Sequence, residues 1–351
     1  MKKAIIAMSG GVDSGVAAYF MKDRGFDCVG ATMKLHDGDL SYIGDKTCCS
    51  LDDVEDAKAV ARRLGMPHYV LNFKEDFEKK VIDKFIKTYE QGGTPNPCID
   101  CNRFLKFEKL MNTMYELGCD YVVTGHYARI EEKDGRFYLK KGIDSSKDQS
   151  YVLYSLTQEQ LSHTLFPLGE YTKKEIREIA EREGFINAKK RESQDICFVP
   201  DGDYAAFIKK ITGRKYPSGQ FLDKDGNSLG THSGIINYTI GQRKGLGVAA
   251  GHPVYVIKKD LGNNTVILGS NEDLFSDYLE AEDFNWIIEK PAGEISCFAK
   301  TRYNMKEQPC KVWIDKDRVC VKFDIPIRAI TPGQAIVLYD GDLVLGGGTI
   351  I

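Results

Sequence analysis

Two sets of residues in this 351-residue chain have the types and spacing to do chemistry. The first is Ser9-Gly10-Gly11-Val12-Asp13-Ser14. Adjacent glycines let a backbone come close to an anion, Ser9 and Ser14 add hydroxyl donors, and Asp13 supplies a carboxylate that can hold Mg²⁺ or orient the loop. The second set is sulfur. Cys98 and Cys101 lie in Thr94-Pro95-Asn96-Pro97-Cys98-Ile99-Asp100-Cys101-Asn102, and Cys197 lies in Ser193-Gln194-Asp195-Ile196-Cys197-Phe198. A thiolate is both a nucleophile and a metal ligand, so a Cys-x-x-Cys in a proline-framed loop points to catalysis or metal binding. Cys28, Cys119, Cys297, Cys310 and Cys320 read instead as small core hydrophobes. Cys48-Cys49 precede a helix start with Ser50 as N-cap and read as structural.

These residues need elements to position them. Lys3-Ala4-Ile5-Ile6-Ala7-Met8 is an apolar run with the look of a buried strand, and Gly15-Val16-Ala17-Ala18-Tyr19-Phe20-Met21 has helical spacing. A strand, a glycine turn and a helix aim backbone N–H groups and a positive dipole end at an anion. No Gly-Lys-Ser/Thr closes the loop, so it is not a Walker site. Strand-like runs recur at residues 27–33, 68–72 and 121–124, with helical patterns at 51–64 and 77–91. That rhythm predicts a parallel sheet with helices on both faces. Ligands bind at the carboxyl ends of such strands, which brings Met33 and Gly125-His126 toward the glycine loop. Residues 104–114 read as a helix, so Cys101 is expected near its N-terminus, where the dipole favours a thiolate.

From about Pro217 the texture changes to short alternating runs separated by Asp225-Gly226-Asn227, Gly262-Asn263-Asn264, Pro332-Gly333 and Asp340-Gly341-Asp342. This predicts antiparallel β structure and small barrels. The formal net charge of −3 does not advertise a nucleic-acid partner, although a local basic face suffices to contact phosphates. Lys189-Lys190-Arg191 and the group Lys209, Lys210, Arg214 and Lys215 are the basic clusters, each read as solvated surface. No apolar run approaches the ~18 residues of a membrane span. The chain starts directly in its first strand and carries ten cysteines, which predicts no leader peptide and a reducing, cytoplasmic setting.

Ser-Gly-Gly-x-Asp-Ser resembles the PP-loop of the ATP pyrophosphatases, which split ATP between the α- and β-phosphates and pass AMP to a substrate oxygen. Further motifs narrow the resemblance: Cys101-Asn102, Thr124-Gly125-His126-Tyr127-Ala128-Arg129, Lys147-Asp148-Gln149-Ser150-Tyr151, Thr239-Ile240-Gly241-Gln242-Arg243-Lys244-Gly245, Thr301-Arg302-Tyr303 and Thr331-Pro332-Gly333-Gln334. Nearly end to end, the chain resembles the bacterial tRNA-specific 2-thiouridylases, which thiolate uridine 34 of tRNA. The resemblance implies Cys101 as nucleophile, Cys197 as persulfide carrier and ATP held by Ala7, Met8, Ser9, Gly10, Gly11, Val12, Asp13, Ser14, Met33 and Gly125. It implies that Asn96, Pro97 and Cys98 surround the target base, and that His126, Lys147, Asp148, Gln149, Arg302, Tyr303 and Gln334 touch tRNA. It further implies a PP-loop domain, a small central β domain and a tRNA-binding C-terminal β-barrel, which the texture boundaries near 211 and 276 set at 1–210, 211–275 and 276–351. ATP, Mg²⁺, a tRNA with uridine 34 and a sulfane- or sulfide-donor system are the implied cofactors and partners. The target base must leave its stack, with the β regions gripping the anticodon arm.

One departure matters. The familiar pattern is Asn-Pro-Asp-x-x-Cys, and Cys98 replaces the aspartate here. A second route follows, in which Cys98, Cys101 and Cys197 hold three corners of a [4Fe–4S] cluster whose fourth iron binds sulfide. Alternatively Asp100 supplies the lost carboxylate. Two other functions compete. A PP-loop ligase forming an amide or argininosuccinate would need no cysteine pair, and a non-catalytic tRNA-binding protein would need no intact glycine loop.

Overall fold

The computed structural model describes residues 1–36, 51–188, 190, 196–199 and 201–351. Cys48, Cys49, Lys189, Arg191 and Ser193-Gln194-Asp195 lie outside the described residues, so the readings made on them stay with the sequence. The chain divides into two compact units, one made of residues 1–82, 97–202 and 340–346, the other of 83–96, 203–339 and 347–351.

The first unit is built on a five-stranded sheet. Its strands are β1 (Lys3–Ala7), β2 (Asp27–Lys34), β3 (His68–Asn72), β4 (Tyr121–Val123) and, later in the chain, β7 (Thr164–Leu165), in the order β3-β2-β1-β4-β7. Neighbouring strands in this sheet pair in parallel. Ala4, Ile5 and Ile6 are wholly buried, as a strand covered on both faces requires. From β1 the chain builds outward through β2 to β3, then returns to lay β4 on the other side of β1. That reversal opens a crevice at the carboxyl ends of β1 and β4, where the glycine loop and Gly125 both sit. Helix α1 (Val12–Asp23) follows the loop and buries Val12, Val16, Ala17, Ala18, Phe20 and Met21. It stops at Gly25, whose φ of +79° and bond from its N–H to the Lys22 carbonyl (3.0 Å) turn the chain out. Helix α2 (Leu51–Arg63) packs Ala57, Val60 and Ala61 into the same core.

One feature of this unit was not expected from the sequence. Strands β5 (Ala128–Lys133) and β6 (Arg136–Lys141) form an antiparallel hairpin. Its turn, Asp134-Gly135, has φ of +52° and +74°. Asp-Gly at two positive-φ positions is the tight-hairpin signature, so the signal was present in the sequence.

The second unit is β-rich, as the texture beyond Pro217 predicts. Strands β8 (Gly219–Leu222), β9 (Ser228–His232), β10 (Tyr255–Asp260) and β11 (Thr265–Gly269) form a sheet in the order β10-β11-β8-β9. It closes over Phe221, Tyr238, Leu246, Val256, Val266 and Leu268. The last six strands are β12 (Phe275–Trp286), β13 (Ile295–Lys300), β14 (Gln308–Asp315), β15 (Arg318–Arg328), β16 (Ala335–Asp340) and β17 (Leu343–Ile350). They run β12-β15-β14-β13-β16-β17, and a β12–β17 pairing closes the barrel. Closure removes the open edges that would otherwise invite pairing with other chains.

Candidate active site

The glycine loop is held by its own residues. The Ser9 N–H donates to Ser14 Oγ (3.2 Å), the Ser14 hydroxyl donates to the Gly11 carbonyl (3.0 Å), and the Gly11 N–H reaches Ser9 Oγ (3.4 Å). Ser14 is buried, and its hydroxyl, donated to the Gly11 carbonyl, shapes the loop. Gly10 has φ of +74°, and a β-carbon there would stand 2.3 Å from the Asp53 carbonyl oxygen. Gly125 arrives from β4 so closely that a β-carbon would lie 2.8 Å from the Asp13 carbonyl carbon and 2.9 Å from the Ser14 nitrogen. Any side chain at either position would push the loop open. Helix α1 begins with Gly11 as N-cap and no side-chain cap, which leaves its first-turn amides to a ligand. Ala7 ends β1 paired with Ala31, so Met33, two residues further along β2, stands on the same carboxyl edge. Met8 and Val12 are buried at the two ends of the loop, as anchors.

Asp13 has partners that the sequence reading missed. The Lys173 ammonium donates to both carboxylate oxygens (2.8 and 2.7 Å), and the Tyr127 hydroxyl donates to Oδ1 (2.8 Å). Lys173 opens helix Lys173–Arg182, whose start is set by a capping box of Thr172 and Glu175. Lys173, Ile176 and Ala180 share one face at spacings of three and four, and Ile176 and Ala180 are buried. That periodicity was the available signal that Lys173 turns inward and Lys174 outward. A cation beside the glycine loop is what a triphosphate requires.

Tyr127 connects this centre to residues expected to touch tRNA. Its N–H donates to Gln149 Oε1 (3.0 Å), and the Gln149 N–H donates to the Tyr127 carbonyl (2.9 Å). Asp148 accepts from the N–H groups of Gly142 and Ser150 and from the Ser150 hydroxyl, which fixes the turn that carries half-buried Lys147. His126 is buried, with Nδ1 against Thr124 Oγ1 (2.6 Å) and Nε2 toward Lys106 Nζ (3.5 Å). Burial, reinforced by Lys106, holds its pKa well below the ordinary value, so the ring is neutral. It braces the carboxyl end of β4, and its side chain does not face solvent. In the second unit Arg302 donates to the Ala329 carbonyl and Thr331 Oγ1, Gln334 donates to the Thr94 carbonyl, and Tyr303 is exposed.

The cysteine segment differs from expectation. The proline-framed stretch is not a loop throughout, because a helix runs over Pro97–Asp100 and continues as a π-helical stretch, Cys101–Lys109. Pro97 is the cause: with φ preset and no N–H to satisfy, proline suits the first helical position. Cys101 therefore lies a turn inside the helix, not at its mouth. Buried Asn102 fastens it by donating to the Val152 carbonyl (3.0 Å). Asn96 is half-buried, Pro97 buried and Cys98 exposed. Cys197 is half-buried, and its neighbour Phe198 is buried edge-on against Phe77 at 5.6 Å between ring centroids.

The cluster expectation finds no support in the geometry. A [4Fe–4S] centre needs three sulfurs converging on one point. Among the described residues no three His, Cys, Asp or Glu side chains are gathered to hold a metal ion, Cys98, Cys101 and Cys197 included. Three members of the basic clusters have partners within the protein. Lys190 binds Asp53 (2.7 Å) and Asp56 (2.5 Å), Lys209 donates to Asn237 (3.0 Å), and Arg214 pairs with Glu90 (2.6 Å). The Asn187 amide donates to the Gly10 carbonyl (2.9 Å) and so reaches the glycine loop, whereas Lys190 is held to helix α2 through Asp53 and Asp56.

Comparison with known proteins places these features. The family profile described as the tRNA methyl transferase HUP domain matches residues 2–201. The tRNA methyl transferase PRC-barrel domain matches residues 205–270, and the aminomethyltransferase beta-barrel domain matches residues 276–350. A protein of Lachnoclostridium phytofermentans named tRNA-specific 2-thiouridylase MnmA is 50% identical over 356 residues, covering 100% of both chains. The protein of that name from Clostridioides difficile is 51% identical over 99% of this chain and 98% of its own. The tRNA-specific 2-thiouridylase MnmA 1 of Caldanaerobacter subterraneus is 52% identical over 99% of this chain and 97% of its own. A crystal structure of a 4-thiouridine synthetase–RNA complex with bound ATP is 21% identical over 57% of this chain and 45% of that one, with a TM-score of 0.35, too slight a likeness to argue from.

Proposed function

We infer the function of this chain from the family it belongs to, the tRNA-specific 2-thiouridylases: it is an ATP-dependent tRNA sulfurtransferase. The observation that carries the reading is 50% identity across the whole of both chains to a protein of that name.

The finer assignment is as follows. The substrate is uridine 34, and the glycine loop with Met33 and Gly125 holds ATP. The uracil C2 oxygen attacks the α-phosphorus, pyrophosphate leaves, and the oxygen becomes part of a good leaving group. The outer sulfur of a Cys197 persulfide, loaded by a sulfur-donor system, bonds to C2 as the C2–O bond breaks and AMP departs. The Cys101 thiolate attacks the inner sulfur of Cys197, which leaves the outer sulfur on C2 and forms a Cys101–Cys197 disulfide. An external reductant then restores both thiols. Lys173 and the amides at the start of α1 face the phosphates, with Asp13 orienting the lysine. Mg²⁺ carried in with ATP would be held mainly by phosphate oxygens, with Asp13 the loop carboxylate that would turn to it, and would offset the phosphate charge. Residues 1–210 form the catalytic domain, 211–275 a central β domain and 276–351 a tRNA-gripping barrel. Among the described residues no helix is long and apolar enough to cross a membrane, and the cytoplasm, where thiols stay reduced, is the setting we assign.

Cys101→Ser and Cys197→Ser test the reading. Each should make no 2-thiouridine, measured by nucleoside analysis of the tRNA, while tRNA-dependent ATP–pyrophosphate exchange persists. Normal thiolation by both variants would overturn it.

A further inference from the structure

The turn Thr331-Pro332-Gly333-Gln334 meets the chain just ahead of Asn96. The Gln334 side-chain amide donates to the carbonyls of Thr94 (2.8 Å) and Pro95 (3.4 Å), and the Thr94 N–H donates to the Pro332 carbonyl (2.8 Å). The approach is backbone to backbone: a β-carbon at Gly333 would lie 3.1 Å from the Thr94 nitrogen, and one at Gly93 would lie 2.9 Å from the Pro332 oxygen. The turn is itself fixed. Gly333 N–H donates to the Ile350 carbonyl and Ile350 N–H to the Gln334 carbonyl, both at 2.8 Å. Buried Thr331 donates to the Ala329 carbonyl (2.9 Å), and Arg302 Nη2 spans the Ala329 carbonyl (2.6 Å) and Thr331 Oγ1 (3.0 Å).

Thr94 and Asn96 each precede a proline, so both are confined to extended backbone and the segment is stiff. What remains to be set is its direction. A primary amide with two N–H groups can set that by holding two successive carbonyls. The next residues are Asn96 and Pro97, and Pro97 begins the helix that leads to Cys101.

We propose that Gln334, backed by Pro332 and Gly333, is a positioning residue that clamps the Thr94-Pro95 carbonyls and so fixes the entry of the chain into the cysteine-bearing helix. The proposal rests on Cys101 being the nucleophile. It differs from a role in which Gln334 only touches tRNA, because the clamp is made within the protein and acts before any RNA is bound.

The test uses the full-length enzyme and Gln334→Glu, which keeps the side-chain shape and removes both donors, beside Gln334→Ala. The clamp predicts that kcat at saturating tRNA falls about tenfold, as for loss of one to two hydrogen bonds, with KM for tRNA within about twofold. It also predicts an altered rate of Cys101 alkylation by iodoacetamide without tRNA, read by peptide fragmentation. A raised KM with kcat and alkylation both at wild-type values would overturn it and leave Gln334 as a tRNA contact. Wild-type behaviour in every measurement would overturn it as well. If Cys101→Ser turns over normally, the nucleophile assignment fails. If alkylation is unchanged in folded Gln334→Glu, only the clamp fails.

Discussion

Lys173→Met removes one charge from the centre and keeps the length of the side chain. Lys173 is 11% exposed and Asp13 31%, with Nζ 2.7 Å from Oδ2. The pair therefore lies between a surface ion pair, worth about 0–1 kcal/mol, and a buried one, whose disruption costs about 3–5 kcal/mol. About 2 kcal/mol of stability should be lost, because the Tyr127 hydroxyl and solvent still serve Asp13. For a unit of this size that lowers Tm by about 4–8 °C. The catalytic loss should be larger. A preorganised cation facing a transferring phosphate group is worth roughly 100-fold or more in rate, since it acts where charge develops. tRNA-dependent ATP–pyrophosphate exchange should fall about 100-fold at a temperature well below Tm. Lys174→Met is the control: the Lys174 side chain is 86% exposed and pairs with Glu178 one turn on, so exchange should be unchanged. If folded Lys173→Met exchanges within about threefold of wild type, the ion pair braces the fold and the phosphate assignment is wrong.

Two further predictions follow from residues the structure relocated. His126 is held neutral by burial, whereas an unfolded histidine titrates near pH 6.5, so below about pH 6.5 only the unfolded chain gains that proton. Stability should fall as pH drops below that range, and His126→Gln should flatten the dependence of the urea midpoint. Burial shifts His68 and His232 in the same direction, so the difference between wild type and variant is the quantity to measure, and parallel curves would refute the account. Cys98 is exposed and belongs to no gathered ligand set among the described residues. Cys98→Asp should therefore thiolate tRNA within about threefold of wild type, and inactivity in a folded variant would show that the thiol itself is needed.

The glycine loop was legible in the sequence because its requirements are local. Gly10 must take positive φ and both Gly10 and Gly125 must admit backbone within van der Waals distance, and each demand leaves a glycine in a fixed place between a strand and a helix. The alternation of strand and helix was legible for the same reason. Burial on both faces leaves an unbroken apolar run, as at Ala4-Ile5-Ile6. Proline was read less well. The two prolines before Cys98 suggested a loop, but a proline's missing N–H costs nothing at the first helical position, so the same residue that ends one segment starts the next.

The partners of the chemical residues were not legible, and the reason is separation along the chain. Asp13 meets Tyr127 and Lys173 across 114 and 160 residues, and Gln334 meets Thr94 across 240. No motif has a spacing that encodes such pairings. They depend on strand order, which puts the end of β4 beside the start of α1, and on which face of a helix turns inward. Thr172-Lys173-Lys174-Glu175 reads as an ordinary helix start with two solvent-facing lysines until Ile176 and Ala180 are seen to be buried. Then the 3.6-residue period separates the two lysines, one aimed at Asp13 and the other at solvent. Catalytic groups are thus the part of such a site that sequence reveals. The residues that set their direction belong to the fold, and substitutions at Lys173 and Gln334 measure how much of the rate resides there.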